Sequence, residues 1–227
     1  MAKKKVSSEH KIEQILTTWG IVVILWSIFR ANFAPPIWFN EFLVKPLIFL
    51  LPVYFYLKKN EKKDRFLFQL GWPKKKAWRE FLISLILLLF IFGIGLLVLS
   101  LSKEIQIIFL NKVNYQRLAV YIALALASAF SEELFGRGFL FNYLHKYSKN
   151  VLLALFLSST LFFVLYLPGA LSMQISGQDL FINLILNFTL SFITGIAFYL
   201  RKNILPAIAI HAGIILWFDL ILGGLLF

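Results

Sequence analysis

Long apolar runs alternate with short polar, basic segments along the whole chain. The runs fall at 15–33, 38–57, 81–101, 118–141, 151–167, 181–200 and 204–227. Most of them hold about 20 residues, the helical length that crosses a hydrocarbon core of roughly 30 Å. The pattern predicts an all-α protein, a polytopic transmembrane helical bundle of about seven spans, with a range of six to eight.

Two of the runs depart from a plain span. The second carries Glu41, Lys45, Pro46 and Pro52, which predicts a kinked or partly interfacial segment because proline interrupts the helical hydrogen bonds. The fifth run, 151–167, is short for a span.

Composition places the chain in the membrane. Of its 227 residues, 60% are hydrophobic and 15% are charged, and the mean hydropathy is +0.81. A soluble domain has too little interior for that much apolar surface, so we expect an integral membrane protein with the lipid bilayer as a partner. The chain has no cysteine, which excludes disulfides and thiolate metal sites.

The net charge of +12 would suit a nucleic-acid-binding protein. However, the basic residues are confined to short connecting segments, and we therefore expect no nucleic-acid binding. Alternate connections are rich and poor in Lys and Arg: 58–80 holds nine, whereas 168–180 holds none. The positive-inside rule then places the N-terminus in the cytoplasm and Phe227 outside. The basic tail favours a bacterial cell membrane.

The segment 64–80, DRFLFQLGWPKKKAWRE, interleaves aromatic and basic residues. One interpretation is an interfacial helix that holds anionic lipid or gates a substrate. The simpler interpretation is a basic loop with an aromatic anchor.

Charges within the fourth run are the first sign of chemistry. The stretch SAFSEELFGRGFLFNYLH, residues 128–145, places Glu132, Glu133 and Arg137 among side chains suited to lipid. A charge at the bilayer centre costs about 2.5–3.5 kcal/mol on insertion scales. Glu133 and Arg137 share one helix face, so we expect an ion pair between them. Glu132 points about 100° away and needs another partner.

His211 is the only histidine within a predicted core span. At a rise of 1.5 Å per residue, His211 and Glu132 both lie roughly 12–14 Å from the inner surface, so the two are predicted to meet. A carboxylate in such a pair can deprotonate water, and a neutral imidazole can hold that water or protonate a leaving amine. This is the chemistry of water-mediated peptide hydrolysis.

Other interpretations of these residues stay open. The pair can be a helix–helix hydrogen bond without chemistry. A zinc site of Glu132, Glu133 and His211 is only weakly supported, because no H-E-x-x-H motif is present, and we expect no cofactor. Ser128 and Ser131 lack the G-x-S-x-G setting of a nucleophile. A small transporter would also carry intramembrane Glu, His and Arg, but paired broken helices in matching halves are missing.

The polar stretch also resembles a known family. EELFGRGFLFNYL, residues 132–144, resembles the first motif (E-E-x-x-x-R) of the CPBP family, the CAAX protease and bacteriocin-processing, or Abi-type, group. LSSTLFFVLYL (157–167) and FITGIAFYLRKNILPAIAIHA (192–212) follow in the family's order. We therefore divide the chain into an N-terminal two-span region with a basic segment, 1–80, and a CPBP-like membrane core, 81–227.

The resemblance implies an intramembrane endopeptidase that cuts membrane-associated peptides or proteins. Within it, Glu132 resembles the base that activates water, and Glu133 and Arg137 resemble its supporting pair. His211 resembles the third-motif histidine. Some relatives in the family are linked instead to bacteriocin self-immunity or to scaffolding.

Two positions depart from the family's pattern. The second motif, F-x-x-x-H, ends here on Tyr166, and the third, H-x-x-x-N, ends on Ile215. Tyrosine keeps a hydrogen-bond donor but does not accept a proton near neutral pH. Asp219, two helical turns after His211, and Tyr166 itself are candidates for partial compensation. The sequence leaves open whether the chain is an active protease or a non-catalytic relative, such as an immunity protein, a membrane scaffold or a regulator.

Overall fold

The fold is known from a computed structural model that describes residues 8–61, 65–73, 77–101, 118–172 and 177–222. The described residues are mostly helical and form seven long helices and one short one. In chain order they are α1 (Ser8–Asn32), α2 (Ile37–Asn60), α3 (Phe66–Gln69), α4 (Ala77–Leu101), α5 (Leu118–Ser148), α6 (Val151–Ser172), α7 (Gly177–Arg201) and α8 (Leu205–Leu222).

The predicted fold class is confirmed. Six helices of the described chain are long and apolar enough to cross a membrane, and Leu205–Trp217 forms a shorter apolar helix. The largest differences from the predicted spans are at helix ends. The fourth span extends to Ser148 and not to 141. The fifth span was predicted to be short, but it extends to Ser172, because its helix continues past Pro168.

The second span contains an irregularity where one was expected. Its segment Asn40–Val44 forms a π-helix, and an α-helix follows from Lys45. Pro46 stands in the first turn of that α-helix, where a missing N–H costs little. Pro52 lies farther along the same helix.

Helix α5 lies at the centre of the bundle. Nearly half of the residues in its most apolar stretch are buried, which is the largest buried share among the described spans. Helix α8 packs against α4 and α5, α7 packs against α6, and α1 packs against α2 and α6. The remaining faces of these helices are apolar and exposed, as expected where lipid covers them.

The basic segment between α2 and α4 is docked into the bundle. Leu70 is fully buried, and the carbonyl of Gly71 accepts a hydrogen bond from the N–H of Ile204 at 3.0 Å. Gly138 of α5 permits the close approach, because a Cβ there would lie 2.6 Å from the carbonyl oxygen of Leu70. Residues 62–64 and 74–76, which include five lysines of this segment, lie outside the described residues.

Candidate active site

The predicted site residues lie together at the centre of the bundle; four of them are buried, and Tyr166 is partly buried. Glu132 and Glu133 end the α-helical part of α5, and a π-helix, Leu134–Phe141, begins directly after them. Arg137 lies within this π-helix and is 1% exposed. His211, on α8, is also 1% exposed. Wide π turns inside α-helices occur frequently at functional sites.

One oxygen of Glu132 faces the two predicted partners. The hydroxyl of Tyr166, on α6, donates a short hydrogen bond to Oε2. Nε2 of His211 lies 3.5 Å from the same oxygen. The structure therefore brings Glu132, Tyr166 and His211 together.

The other oxygen of Glu132 is held by residues that the sequence did not assign to the site. Nζ of Lys45, on α2, donates to Oε1 at 2.8 Å, and the hydroxyl of Ser128 donates to it at 3.1 Å. Nζ of Lys45 also lies 2.5 Å from a carboxylate oxygen of Glu41. All four side chains are buried.

Glu133 joins two groups that the sequence treated separately. Its Oε1 lies 2.6 Å from Nδ1 of His211, and its Oε2 lies 3.0 Å from Nε of Arg137. An ionised carboxylate only accepts hydrogen bonds, so Nδ1 carries the proton of this contact. His211 then presents Nε2 toward Glu132, as a third group orients the imidazole in other catalytic constellations.

Arg137 is fixed by packing as well as by charge. Its guanidinium lies over the ring of Phe162, 4.5 Å from the centroid. Gly136 makes room for this ring, because a Cβ there would lie 3.0 Å from it. The ion pair with Glu133 is close in distance but lacks hydrogen-bond geometry, and the two terminal nitrogens of Arg137 have no hydrogen-bond partner among the described residues.

The charges of the cluster nearly balance. Three carboxylates meet two cations through contacts of 2.5–3.0 Å: Glu41, Glu132 and Glu133 face Lys45 and Arg137. One negative charge remains when His211 is neutral, and protonation of His211 cancels it. A buried charge needs such pairing, since isolated ions are strongly disfavoured in an apolar interior.

Lys45 and Glu41 belong to the buried cluster, but the sequence analysis did not assign them to the candidate site. Their signal was present, because two ionisable residues four apart inside a span are a functional hypothesis in their own right. The sequence analysis used them only to predict a kink. Ile215 packs against the apolar core, and the side chain of Asp219 lies outside the described residues.

The described part of the chain offers no ready metal site. No three His, Asp or Glu side chains within it are grouped so that they could hold a metal ion. Glu132 and Glu133 instead both contact His211, and they face Lys45 and Arg137, respectively.

Comparison with known proteins identifies the region that carries the site. Residues 114–217 match the family model described as type II CAAX prenyl endopeptidase Rce1-like. They form a Rce1-like CAAX protease domain. The predicted CPBP resemblance is thereby confirmed for this domain, and the chain that carries it is an integral membrane protein. No curated protein and no solved structure matches the chain.

The Rce1-like domain contains only part of the buried cluster. Glu132, Tyr166 and His211 lie inside the matched region. Glu41 and Lys45 lie outside it, on α2; Lys45 contacts the carboxylate of Glu132, and Glu41 contacts Lys45. The division of the chain into regions 1–80 and 81–227 therefore stays a prediction. The buried cluster contains residues from both regions.

Proposed function

We propose that this protein is an intramembrane endopeptidase in which Glu132 activates water for attack on a peptide bond. One observation carries the proposal. Oε2 of Glu132, Nε2 of His211 and the hydroxyl of Tyr166 converge on one buried point, inside a domain of an endopeptidase family. A general base, a second proton acceptor and a hydrogen-bond donor are the groups that hydrolysis needs at one place.

The orientation of His211 suggests how water is held. When the Nδ1 proton is donated to Glu133, neutral His211 turns the lone pair of Nε2 toward the carboxylate of Glu132. Two acceptors facing each other require a proton between them, either on Nε2 or on a water molecule. A bridging water with hydrogen bonds of about 2.8 Å needs more space than the present 3.5 Å, so the contact must open by about 1 Å as substrate binds.

The bond changes then follow from this placement. The water oxygen attacks the peptide carbonyl carbon while its proton passes to Glu132. The hydroxyl of Tyr166 turns from Glu132 to the oxygen that gains negative charge. The leaving amine takes the proton that Glu132 received from water, either directly or through Nε2 of His211, as the C–N bond breaks. Ile215 supplies no polar group at the position where the family has Asn. Loss of one such oxyanion donor costs about 2.7–4 kcal/mol, so we expect slow turnover.

The experiment compares cleavage by the purified wild-type protein and by Glu132→Gln in mild detergent. The substrates are a prenylated CAAX peptide and its unprenylated twin, since the family model is that of a prenyl endopeptidase. Loss of a general base is expected to slow cleavage about 10²–10⁴-fold. Glu13→Gln is the matched control, because Glu13 is exposed on α1 and far from the site. Equal cleavage by wild type and Glu132→Gln would refute this centre.

A second candidate function is favoured by a specific observation. Glu132 is already engaged by Lys45, Ser128 and Tyr166, which suits a structural anchor better than a free base. The chain would then be a non-catalytic relative that acts in bacteriocin self-immunity or as a membrane scaffold or regulator. This alternative predicts no cleavage by the wild type, and it predicts a gain of cleavage when the double variant Tyr166→His/Ile215→Asn restores both family motifs.

A further inference from the structure

A buried cation reaches the site from outside the Rce1-like domain. Lys45 lies on α2, before residues 114–217, and is 6% exposed. Lysine is almost never buried to this extent unless it is paired. Inside a membrane protein such a residue marks a functional site by default, so its partners indicate its role.

The ammonium group of Lys45 is fixed between two helices. Its Nζ donates to Oε1 of Glu132 and to the hydroxyl of Ser128, both at 2.8 Å, and these acceptors lie on α5. The third contact, at 2.5 Å, is with Glu41 on its own helix. An ammonium has three N–H groups, and three oxygens surround this one.

These contacts make the two oxygens of Glu132 unequal. A carboxylate oxygen offers two lone-pair positions, and on Oε1 both are used, by Lys45 and Ser128. Only Oε2 faces Tyr166 and His211. The cation therefore determines which oxygen is available to a water molecule.

We propose that Lys45 is a positioning residue of the active site, which anchors Oε1 of Glu132 so that Oε2 is presented to water. The inference rests on the proposed endopeptidase function. It makes the second span part of the site, because the anchoring cation is supplied from outside the family domain.

Glu41 completes this anchor. Its Oε1 accepts a hydrogen bond from the side-chain amide of Asn40 at 2.9 Å, and its other oxygen contacts Lys45. With Glu41 ionised, the trio of Glu41, Lys45 and Glu132 keeps one negative charge, so the cation holds Glu132 without cancelling the charge of the base. The π-helix Asn40–Val44 contains Glu41, and the π-helix Leu134–Phe141 follows Glu133, so each of these two irregular segments adjoins the cluster.

The test measures kcat and KM of Lys45→Met with the two CAAX peptides. Methionine keeps an unbranched side chain of similar length but provides neither charge nor donor. A misplaced base typically slows the chemical step about 10²-fold, so we expect kcat to fall by about that factor while KM changes less than about threefold. Lys58→Met is the matched control, because Lys58 is an exposed lysine on the same helix, and both constants should stay within about twofold of wild type.

A second readout reports on the anchor without cleavage. The infrared carboxylate band of Glu132 is assigned by subtracting the spectrum of Glu132→Gln from that of the wild type. Loss of the cation and of its hydrogen bond should shift this band in Lys45→Met and leave it unchanged in Lys58→Met. If Lys45→Met does not fold, the double variant Glu41→Gln/Lys45→Met carries one buried carboxylate fewer and is measured in its place.

The inference can be overturned whether or not the proposed protease function holds, and the two cases are distinguished by comparing wild type with Glu132→Gln. A folded Lys45→Met with wild-type kcat and an unshifted carboxylate band shows that Lys45 does not position Glu132, even where Glu132→Gln has lost cleavage. If wild type and Glu132→Gln cleave equally, the proposed function fails. The infrared band then decides by itself whether Lys45 holds the carboxylate, and an unshifted band overturns the anchor.

Discussion

Replacement of Arg137 by methionine tests whether the buried ion pair stabilises the bundle. Arg137 is 1% exposed and lies 3.0 Å from Glu133, which is 0% exposed. Methionine retains an apolar contact with the ring of Phe162, 4.5 Å from the guanidinium. The substitution therefore removes mainly the charge that faces the carboxylate of Glu133.

The expected loss of stability follows from the burial of the pair. Removing one partner of a buried ion pair typically costs about 3–5 kcal/mol, because the other charge is left uncompensated. Glu133 still has His211 at 2.6 Å, and the terminal nitrogens of Arg137 have no hydrogen-bond partner in the described structure, so the lower end of this range applies. At about 2–4 °C per kcal/mol for a chain of this size, a loss of about 3 kcal/mol lowers Tm by roughly 6–12 °C.

The assay is thermal unfolding in one mild detergent at a fixed scan rate, followed by tryptophan fluorescence and far-UV ellipticity. Lys146→Met is the control, because Lys146 pairs with Glu61 at 2.8 Å but its side chain is 46% exposed. Exposed pairs contribute about 0–1 kcal/mol, so this variant should melt within a few degrees of the wild type. The double variant Glu133→Gln/Arg137→Met removes the carboxylate that the single variant leaves without its cation and should regain much of the lost stability.

The reasoning is refuted if Arg137→Met melts no lower than Lys146→Met. Such a result would mean that the free energy lost by desolvating the guanidinium equals the free energy gained by pairing it with Glu133. A double variant no more stable than Arg137→Met would instead assign the loss to the packing of Arg137 against Phe162.

Two further predictions concern Tyr166 and Gly138. Tyr166→Phe removes a hydrogen bond to the charged Glu132, and such a bond contributes about 1.5–3 kcal/mol. We therefore expect a lower thermal unfolding midpoint and a reduced kcat for the CAAX peptide, and unchanged values of both would show that the hydroxyl is dispensable. Gly138→Ala places a Cβ 2.6 Å from the backbone oxygen of Leu70 and should lower the free energy of unfolding by about 1–3 kcal/mol through overpacking. In the control Gly20→Ala the new Cβ meets no atom within 4 Å, so this variant should be neutral or more stable by up to about 1 kcal/mol, and equal thermal unfolding midpoints for the two variants would contradict this account.

Local spacing in the sequence was enough to predict several features of the site. The lengths of the apolar runs determine the number of spans, because a bilayer of fixed thickness needs helices of fixed length. The separation of Glu133 and Arg137 by four residues places them on one helix face, and the structure has them 3.0 Å apart. Equal depth along two helices also indicated that Glu132 and His211 can approach each other.

Tertiary structure decided which partners these groups have. The nearer carboxylate of His211 is Glu133, at 2.6 Å, and Glu132 is held by Lys45 from a helix 87 residues away in sequence. The physical reason is that these spans are apolar on nearly every face, so periodicity does not show which side of a helix turns inward. Depth follows from counting residues along one helix, but the rotation of each helix about its axis is set only when all seven pack together.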